Sequence, residues 1–517
     1  MKFFQDFRIS DPQELFGVHR PRSLVNAGAW TMVSNVSAGF WQIVTGVVLA
    51  RLIAPDAFGT LALVTIFYNL LTGFLGIAFA AASVQKAELT EQQASNFFWV
   101  NVAVSGMMAV ALGISGPILA SFYDLPELSL IALAYSFLIL INALGIQHRA
   151  LINRAMRYDI SSRIALVLGP MGLLIAVPLA LMGFGLWALV IQAVVGGVLE
   201  RIFLWWALPW VPKPYRKGAG IRSMIQFGSR SAFALLVNFC YESMQSLIMG
   251  KMASPAQVGF YNRGQSLFQR PIGQVTHPLL AVLLPRMSSL QDRPREMEAF
   301  VIRTLWALSI LVMPLLVWMS LFGEQFAISL LGDQWSTAGR VMKWFALGAI
   351  IGVVMMPLSK ACEGLGTPSK GLAARVVFLP FFIFAILRVV EQGAEPVAIV
   401  YVGANTAVAP FALFLVFRNS PLAARPILFA MLGSVGCAII SIILVVALDM
   451  GVDGWLLDPA LGAVGSYKLV AGAAAALVSF SLTTLLFVEG RRSWAYLFDL
   501  LTQLWFGFLQ RTSLSKG

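Results

Sequence analysis

What most limits how this chain can fold is a series of roughly fourteen uninterrupted apolar runs, each about 20 residues long or slightly longer. That is the length of helix needed to cross the hydrocarbon of a bilayer. The runs show no alternation of apolar and polar residues, which argues against barrel strands. The expectation is an all-α polytopic membrane protein with about 14 transmembrane helices. Composition agrees, because 59% of the 517 residues are hydrophobic and only 12% are charged. A soluble core of this length cannot hide so much apolar surface.

The chain also restarts itself. Arg22, Ser23, Gly28, Pro55 and Gly59 match Arg222, Ser223, Gly228, Pro255 and Gly259 at a constant offset of 200 positions. Arg51 is matched by Lys251, and Gln42 by Glu242. The segment from Trp210 to Gly218, with Pro212 and Pro214 among Lys213, Arg216 and Lys217, separates the copies. The expected organisation is an N-terminal extension over 1–24, a six-helix bundle over 25–210 and a linker over 211–222. A second, pseudo-symmetric six-helix bundle follows over 223–418, then an extra C-terminal helix pair over 419–490 and an amphipathic tail over 491–517. In that tail Tyr496, Leu497, Leu500, Leu504, Trp505 and Phe508 share a face, which either lies in the membrane interface or packs on the bundle. Duplicated halves in a membrane chain point to a transporter whose two bundles rock about a central site.

With the N-terminus taken as cytoplasmic, one set of loops collects most of the 36 Lys and Arg residues. Examples are Arg20 and Arg22, Arg149, Arg154 and Arg157, Lys213, Arg216 and Lys217, Arg293 and Arg295, and Arg491 and Arg492. The opposite set holds Arg51, Lys251, Arg340, Lys343, Arg388 and Lys468. This asymmetry follows the positive-inside rule and places both termini in the cytoplasm. It also accounts for the net charge of +12 as topology, with no call for nucleic acid. Cys240, Cys362 and Cys437 fall in or beside apolar runs without metal-ligand spacing and read as buried thiols. The first 24 residues lack the apolar core of a cleavable signal.

Enzyme chemistry has little to stand on. His19, His148 and His277 lie in no metal-binding pattern, and no Walker-type phosphate loop occurs. The longest candidate extracytoplasmic loop, from Asp449 to Lys468 with Asp453 and Asp458, is short for a catalytic domain. Neither a cofactor nor a metal is expected.

The informative residues lie inside the runs. In the eighth run, Arg263, Arg270, Gln274 and His277 recur at spacings of seven, four and three, one helical face about 21 Å long. A guanidinium in lipid costs at least a few kcal/mol, so this face must look into protein or a wet cavity. Arginine also suits the forked binding of phosphate oxygens. The alternative is structural pairing of these arginines with carboxylates or helix-end carbonyls. Pro271 and Pro278 permit bending in the same run. The seventh run supplies Arg230 and Glu242. Glu242 either binds a coupling cation or proton, or is a static partner for Arg263 or Lys251. Glu200 and Arg201 are adjacent and point about 100° apart, so each is expected to have its own partner. Asn35, Gln42, Asn69, Asn101, Asn142 and Gln192 read as glue between helices. In the first repeat the positions matching Arg230, Arg263 and Arg270 are Trp30, Leu63 and Leu70, so an anionic ligand group belongs nearer the second bundle.

The stretch from Val48 to Gly59 resembles the first-helix exit of polysaccharide flippases in the multidrug/oligosaccharidyl-lipid/polysaccharide exporter superfamily. Gln147-His148-Arg149-Ala150-Leu151-Ile152-Asn153-Arg154 and onward to Tyr158 is similar to their loop after helix four. Val258-Gly259-Phe260-Tyr261-Asn262-Arg263 and Leu284-Pro285-Arg286-Met287 are similar to their eighth helix. The ordered set covers roughly residues 22–420. The resemblance implies flipping of an undecaprenyl-diphosphate-linked oligosaccharide across a bacterial inner membrane, for exopolysaccharide, capsule or O-antigen. It implies substrate contact at Arg263 and Arg270, flanked by Arg230, Gln274 and His277, with Glu242 as the candidate for coupling to H+ or Na+. Arg51 and Lys251 would stand at the outer rim, as substrate contacts or as interface anchors. Implied partners are the lipid-linked oligosaccharide, membrane lipid, and polysaccharide polymerase and export proteins. Gln269-Arg270-Pro271 departs from the family pattern, so Arg270 rests on the helical stripe alone. Two other readings remain at this stage. A drug/cation antiporter of the same fold calls for a cavity of carboxylates and aromatics, and a membrane polysaccharide polymerase or ligase calls for essential residues in an outer loop.

Overall fold

The computed structural model describes residues 24–75, 89–155, 157–217, 239, 241–365, 369–418, 420–451, 465–487 and 490–494. Among the described residues the regular elements are all helical and no strand occurs. In chain order they are α1 Leu24–Leu52, α2 Pro55–Leu75, α3 Glu91–Tyr123, α4 Glu127–Arg154, α5 Tyr158–Leu181, α6 Leu186–Ala207 and α7 (241–252). There follow α8 Pro255–Ser289, α9 Pro294–Leu331, α10 Ser336–Gly364, α11 Ser369–Val389, α12 Ala394–Phe417, α13 Ala424–Gly451 and α14 Gly465–Thr484. Ten helices among the described residues are long and apolar enough to cross a membrane. α8 is not one of them although it is 35 residues long and runs unbroken through Pro271 and Pro278. Its polar stripe lowers its hydropathy.

The helices wear their apolar residues outward. On α3, Met107, Val110, Ile114, Ile118 and Phe122 are exposed at spacings of three and four, and on α4 so are Leu130, Leu133, Phe137, Leu140 and Leu144. Water would penalise such stripes, whereas lipid solvates them. The inner faces carry the small and polar residues instead. Asn101, Ser105 and Ser136 are buried, and the Asn101 amide donates to the Ala143 carbonyl at 3.0 Å, joining α3 to α4.

The chain divides into two compact units, Met1–Asn262 and Arg263–Gly517, so the division falls within α8. It comes later than the 211–222 linker read from the sequence. In the first unit α3 packs on α4, α1 on α5, α2 on α4, and both α4 and α5 on α6. In the second, α9 packs against α10, α13 and α14, while α12 bridges α10 and α11. The C-terminal pair is fastened to α9 by specific contacts. The Ser434 hydroxyl donates to Ser309 at 2.7 Å, the Trp318 indole donates to the Leu469 carbonyl at 3.0 Å, and Gly472 makes room for the Phe322 ring. Cys362 and Cys437 are both buried, reduced cysteines.

The Trp210–Arg216 segment is a strap bound along the start of α3. That helix begins with a capping box, in which the Thr90 hydroxyl accepts from the Gln93 backbone and the Gln93 side chain accepts from the Thr90 backbone. The next turns then hold the strap. The Ser95 hydroxyl accepts from the Lys213 backbone, and the Asn96 side chain both donates to the Arg216 carbonyl and accepts from its N–H. Gln92 donates to the Pro214 carbonyl, and the Trp99 indole to the Lys213 carbonyl. Lys213 pairs with Glu91 at 2.5 Å. Buried His148 stacks on Trp205 and bonds the Trp210 carbonyl, anchoring the strap's first residue to α4.

The sequence repeat has a physical meaning within the first unit. α2 begins at Pro55 and α8 at Pro255, and the two helix starts touch backbone to backbone. A Cβ on Gly59 would overlap the Pro255 carbonyl, and a Cβ on Gly259 would overlap the Pro55 carbonyl. Only glycine permits this approach from both sides. Gly250, at the end of α7, is filled in the same way by Leu63 of α2 and Tyr123 of α3.

Three outcomes test these contacts. Gly59→Val is expected to destabilise the detergent-solubilised protein by about 1–3 kcal/mol or more, the usual effect of overpacking. Gly106→Ala, which meets nothing within 4 Å, should leave the melting temperature unchanged or slightly raised. Asn96→Ala removes two bonds to the strap, and trypsin should then cut after Arg216 about tenfold faster, the effect of roughly 1.4 kcal/mol.

Candidate functional site

α8 carries the arginines singled out by the sequence. Arg263 and Arg270 are half-buried, and the two guanidiniums are near enough for their charges to repel. They stand two turns apart, about 10 Å along the helix axis. The Arg263 guanidinium lies over the ring of Trp335, 5.8 Å from its centroid, an arrangement in which the aromatic face partly offsets the lost hydration. Trp335 is fully buried in a 3-10 turn, Asp333–Trp335, between α9 and α10. The helix is seated on α10 through its other positions. Gly264 abuts the Ala338 carbonyl and Val341, and Phe268 stacks on Phe345 with ring centroids 6.0 Å apart. Gln274 is exposed. Arg230 and the His277 side chain lie outside the described residues.

In the first unit, Glu242 on α7 is half-buried, and its backbone carbonyl accepts from the Gln245 side chain. Ser246, on the next turn, donates to Asn262 at 3.3 Å. Lys251 ends α7 with a bond to Asp124 at 3.0 Å and lies over the Phe122 ring at 5.3 Å. Asp124 takes the left-handed conformation that terminates α3, φ 58°, and an aspartate tolerates that turn. Arg51 is exposed in the last turn of α1.

Two further charged groups stand apart from α8. In the second unit Arg340 is a closed clamp. Its guanidinium donates to Glu395 at 2.8 Å, Glu324 at 2.9 Å and Thr337 at 3.1 Å, and the Trp344 indole donates to Glu395 at 3.1 Å. This ties α9, α10 and α12 together. In the first unit Glu200 pairs with Arg149 and also with its neighbour Arg201, at 2.5 Å. As expected from their divergence, Glu200 and Arg201 each have a separate partner, Arg149 and Asn142, and the two also pair with each other. Arg201 also donates to Asn142 at 2.5 Å, and Asn142 in turn donates to the Tyr68 hydroxyl at 2.6 Å. Sequence spacing held a signal for this group: Asn142, Gly145 and Arg149 share one face of α4, and Gly197, Glu200 and Arg201 lie within about a turn of α6. Among the described residues no set of three His, Cys, Asp or Glu side chains converges to hold a metal.

Membrane-length helices, two compact units and charged side chains carried within the apolar segments define a polytopic membrane protein of transporter type. Residues 48–339, more than half of the chain, match the family model described as polysaccharide biosynthesis protein. The chain belongs to that family. The succinoglycan biosynthesis transport protein ExoT of Rhizobium meliloti (strain 1021) is 24% identical over 366 residues, 71% of this chain and 69% of that protein. The lipopolysaccharide biosynthesis protein WzxC of Escherichia coli (strain K12) is 18% identical over 340 residues, 65% of this chain and 68% of that protein. Among solved structures, the lipid II flippase MurJ in an inward closed conformation is similar with a TM-score of 0.67. The match covers 89% of this chain and 98% of that one at 10% identity, a likeness of fold. An inward-facing multidrug resistance MATE family transporter of the MOP superfamily gives 0.55 at 16% identity, covering 77% and 99%. The chain is thus a polysaccharide biosynthesis membrane protein.

Proposed function

We propose that this protein flips a polyprenyl-diphosphate-linked oligosaccharide across a bacterial inner membrane by alternating access, in the assembly of exopolysaccharide, capsule or O-antigen. The observation that carries the reading is the pair Arg263 and Arg270, two mutually repelling cations on one helix within the membrane-embedded protein. A diphosphate carries oxygens suited to guanidinium forks of this kind. The cationic wall opposes a cationic drug as cargo. The names of the relatives, concerned with succinoglycan transport and lipopolysaccharide biosynthesis, and the fold shared with a lipid II flippase support the same substrate class.

In this reading the diphosphate sits against Arg263 and Arg270, with Arg230, Gln274 and His277 flanking it, while the polyprenyl tail stays in lipid. Six-helix bundles over 25–210 and 223–418 alternate their opening, and the pair within 419–490 braces the second. Both termini face the cytoplasm, as the distribution of basic residues supports. The Pro55–Pro255 contact then lies at the periplasmic end and must part for the head group to leave. Glu242 couples this opening to H+ or Na+, and Arg51 and Lys251 stand at the rim where the cargo exits. Polymerase and export proteins receive the flipped unit.

Proteoliposomes loaded on one side with undecaprenyl-diphosphate-linked oligosaccharide test the proposal. The wild-type protein should deliver the saccharide to a probe on the opposite face. Arg263→Ala and Arg270→Ala should each slow delivery roughly 10- to 100-fold, as expected for losing a charged hydrogen bond of about 1.5–3 kcal/mol. Both variants should keep their melting temperature in detergent within a few degrees. Unimpaired transport by both folded variants would discard the arginine pair as the binding wall. New glycosidic bonds made by the purified protein would replace flipping with a polymerase reaction.

A further inference from the structure

We infer that Trp335 is a positioning residue for the α8 arginines: its ring seats the Arg263 guanidinium for the cargo diphosphate without neutralising it. This rests on the flippase reading, and it gives a role to a side chain that the reading itself does not use.

The seat is set by backbone. α9 ends at Gly332, whose N–H donates to the Ile328 carbonyl at 2.8 Å and whose φ of 103° is one that glycine adopts readily. The chain folds back at once, and the Trp335 N–H donates to the Gly332 carbonyl at 3.0 Å. That short turn leaves Trp335 immediately before α10, with no exposed surface. One turn further on, α10 is pressed to α9, where a Cβ on Gly339 would stand 2.7 Å from the Gly323 carbonyl. Arg340 adds its bond to Glu324 of α9 at 2.9 Å. The arginine is held to the same frame. Gly264, next to Arg263, lies so near α10 that a Cβ there would stand 2.5 Å from the Ala338 carbonyl. Both partners are therefore anchored at the start of α10, and the 5.8 Å approach of guanidinium to ring follows from where the helices lie.

Burial gives the stack a direction. Trp335 is fully buried and Arg263 half-buried, so the indole is the floor and the arginine lies on its outer side. The chemistry of the floor matters as much as its place. Arg340 shows what carboxylates do to a guanidinium in this unit, where two glutamates bond it and more than cancel its charge. An aromatic ring acts otherwise. It attracts the cation through the negative face of its quadrupole, brings no counter-charge and leaves the positive charge whole. A long arginine stem that is already seated also has less rotamer freedom to lose when an anion arrives. Trp335 thus holds Arg263 in place and leaves its charge for the cargo.

Fluorine on the indole tests the seat with packing nearly unchanged, because each fluorine draws charge away from the ring face. Tryptophans bearing one to four fluorines are placed in the full chain in place of Trp335 by site-specific incorporation. Binding of undecaprenyl-diphosphate-linked oligosaccharide is measured in detergent, and its translocation in proteoliposomes. Affinity should fall stepwise with fluorination, about fivefold to tenfold in all, with the melting temperature unchanged. In an Arg263→Ala background the same series should be flat, because the group that the ring positions is gone. Trp335→Phe, which keeps a weaker ring, should lie between the wild type and Trp335→Leu. A fall of equal size in both backgrounds, or no fall in either, overturns the role of Trp335 while flipping stands. A wild-type protein that neither binds nor translocates the probe overturns the flippase reading, and the role of Trp335 goes with it.

Discussion

A guanidinium surrounded by hydrocarbon is unfavourable, so an arginine carried on a membrane-length helix gains from the partners the fold supplies, and those arrangements tie helices together. Three solutions appear. Arg340 is forked between two glutamates and a threonine, a saturated arrangement that locks three helices of the second unit. Arg201 is held by Glu200 on its own helix and by the Asn142 amide of α4, and Arg149 of α4 pairs with the same Glu200. Arg263 rests over an indole, with a second arginine close enough to repel it.

The remaining architecture follows from the solvent. Helices that face lipid carry Met, Val, Ile and Phe outward and keep Asn, Ser and Gly between them, so contacts within a unit are close and polar. The serine pair joining α9 to α13 and the amide of Asn101 against α4 are of this kind. Where the chain leaves the helices, backbone groups still require partners, and the Trp210–Arg216 strap finds them on the first turns of α3. That strap shows how a segment rich in proline and basic residues, the composition of a loose connection, can be one of the more heavily bonded parts of a unit.

The fold class was legible in the sequence because lipid leaves little freedom: α9, α10 and α12 each contain an apolar stretch long enough to cross hydrocarbon, and such a continuous run spans it as a helix. α8 was legible for a different reason. Its arginines recur at helical spacing, so periodicity revealed a helix that hydropathy alone passes over. Pairings between distant segments were not legible. Arg340 with Glu324 and Glu395, or Asn96 with Arg216, depend on how helices are set beside one another, which local spacing does not encode. Glu200 and Arg201 have the separate partners their divergence implied, while their contact with each other was not legible, since helix geometry fixes the direction of Cβ and leaves a long side chain free to return. Glycines in close contacts were visible only where the repeat drew attention to them, as at Gly59 and Gly259; Gly145 was overlooked. Arg230, the His277 side chain and the amphipathic tail beyond Trp494 fall outside the described residues, so their assignments stand as proposals.

The contact between Gly59 and Gly259 is made of main chain alone. No charged or titratable side chain takes part in it, so parting the two helix starts breaks no ion pair and releases no proton. Its strength should be indifferent to salt and acidity and governed by shape. Beside it stands Lys251 on Asp124, an exposed pair that ionic strength weakens readily. One end of the first unit therefore combines a closure that the aqueous medium cannot tune with a neighbouring latch that it can. A conformational change there would inherit its sensitivity to the environment from the latch and its geometric sharpness from the glycines.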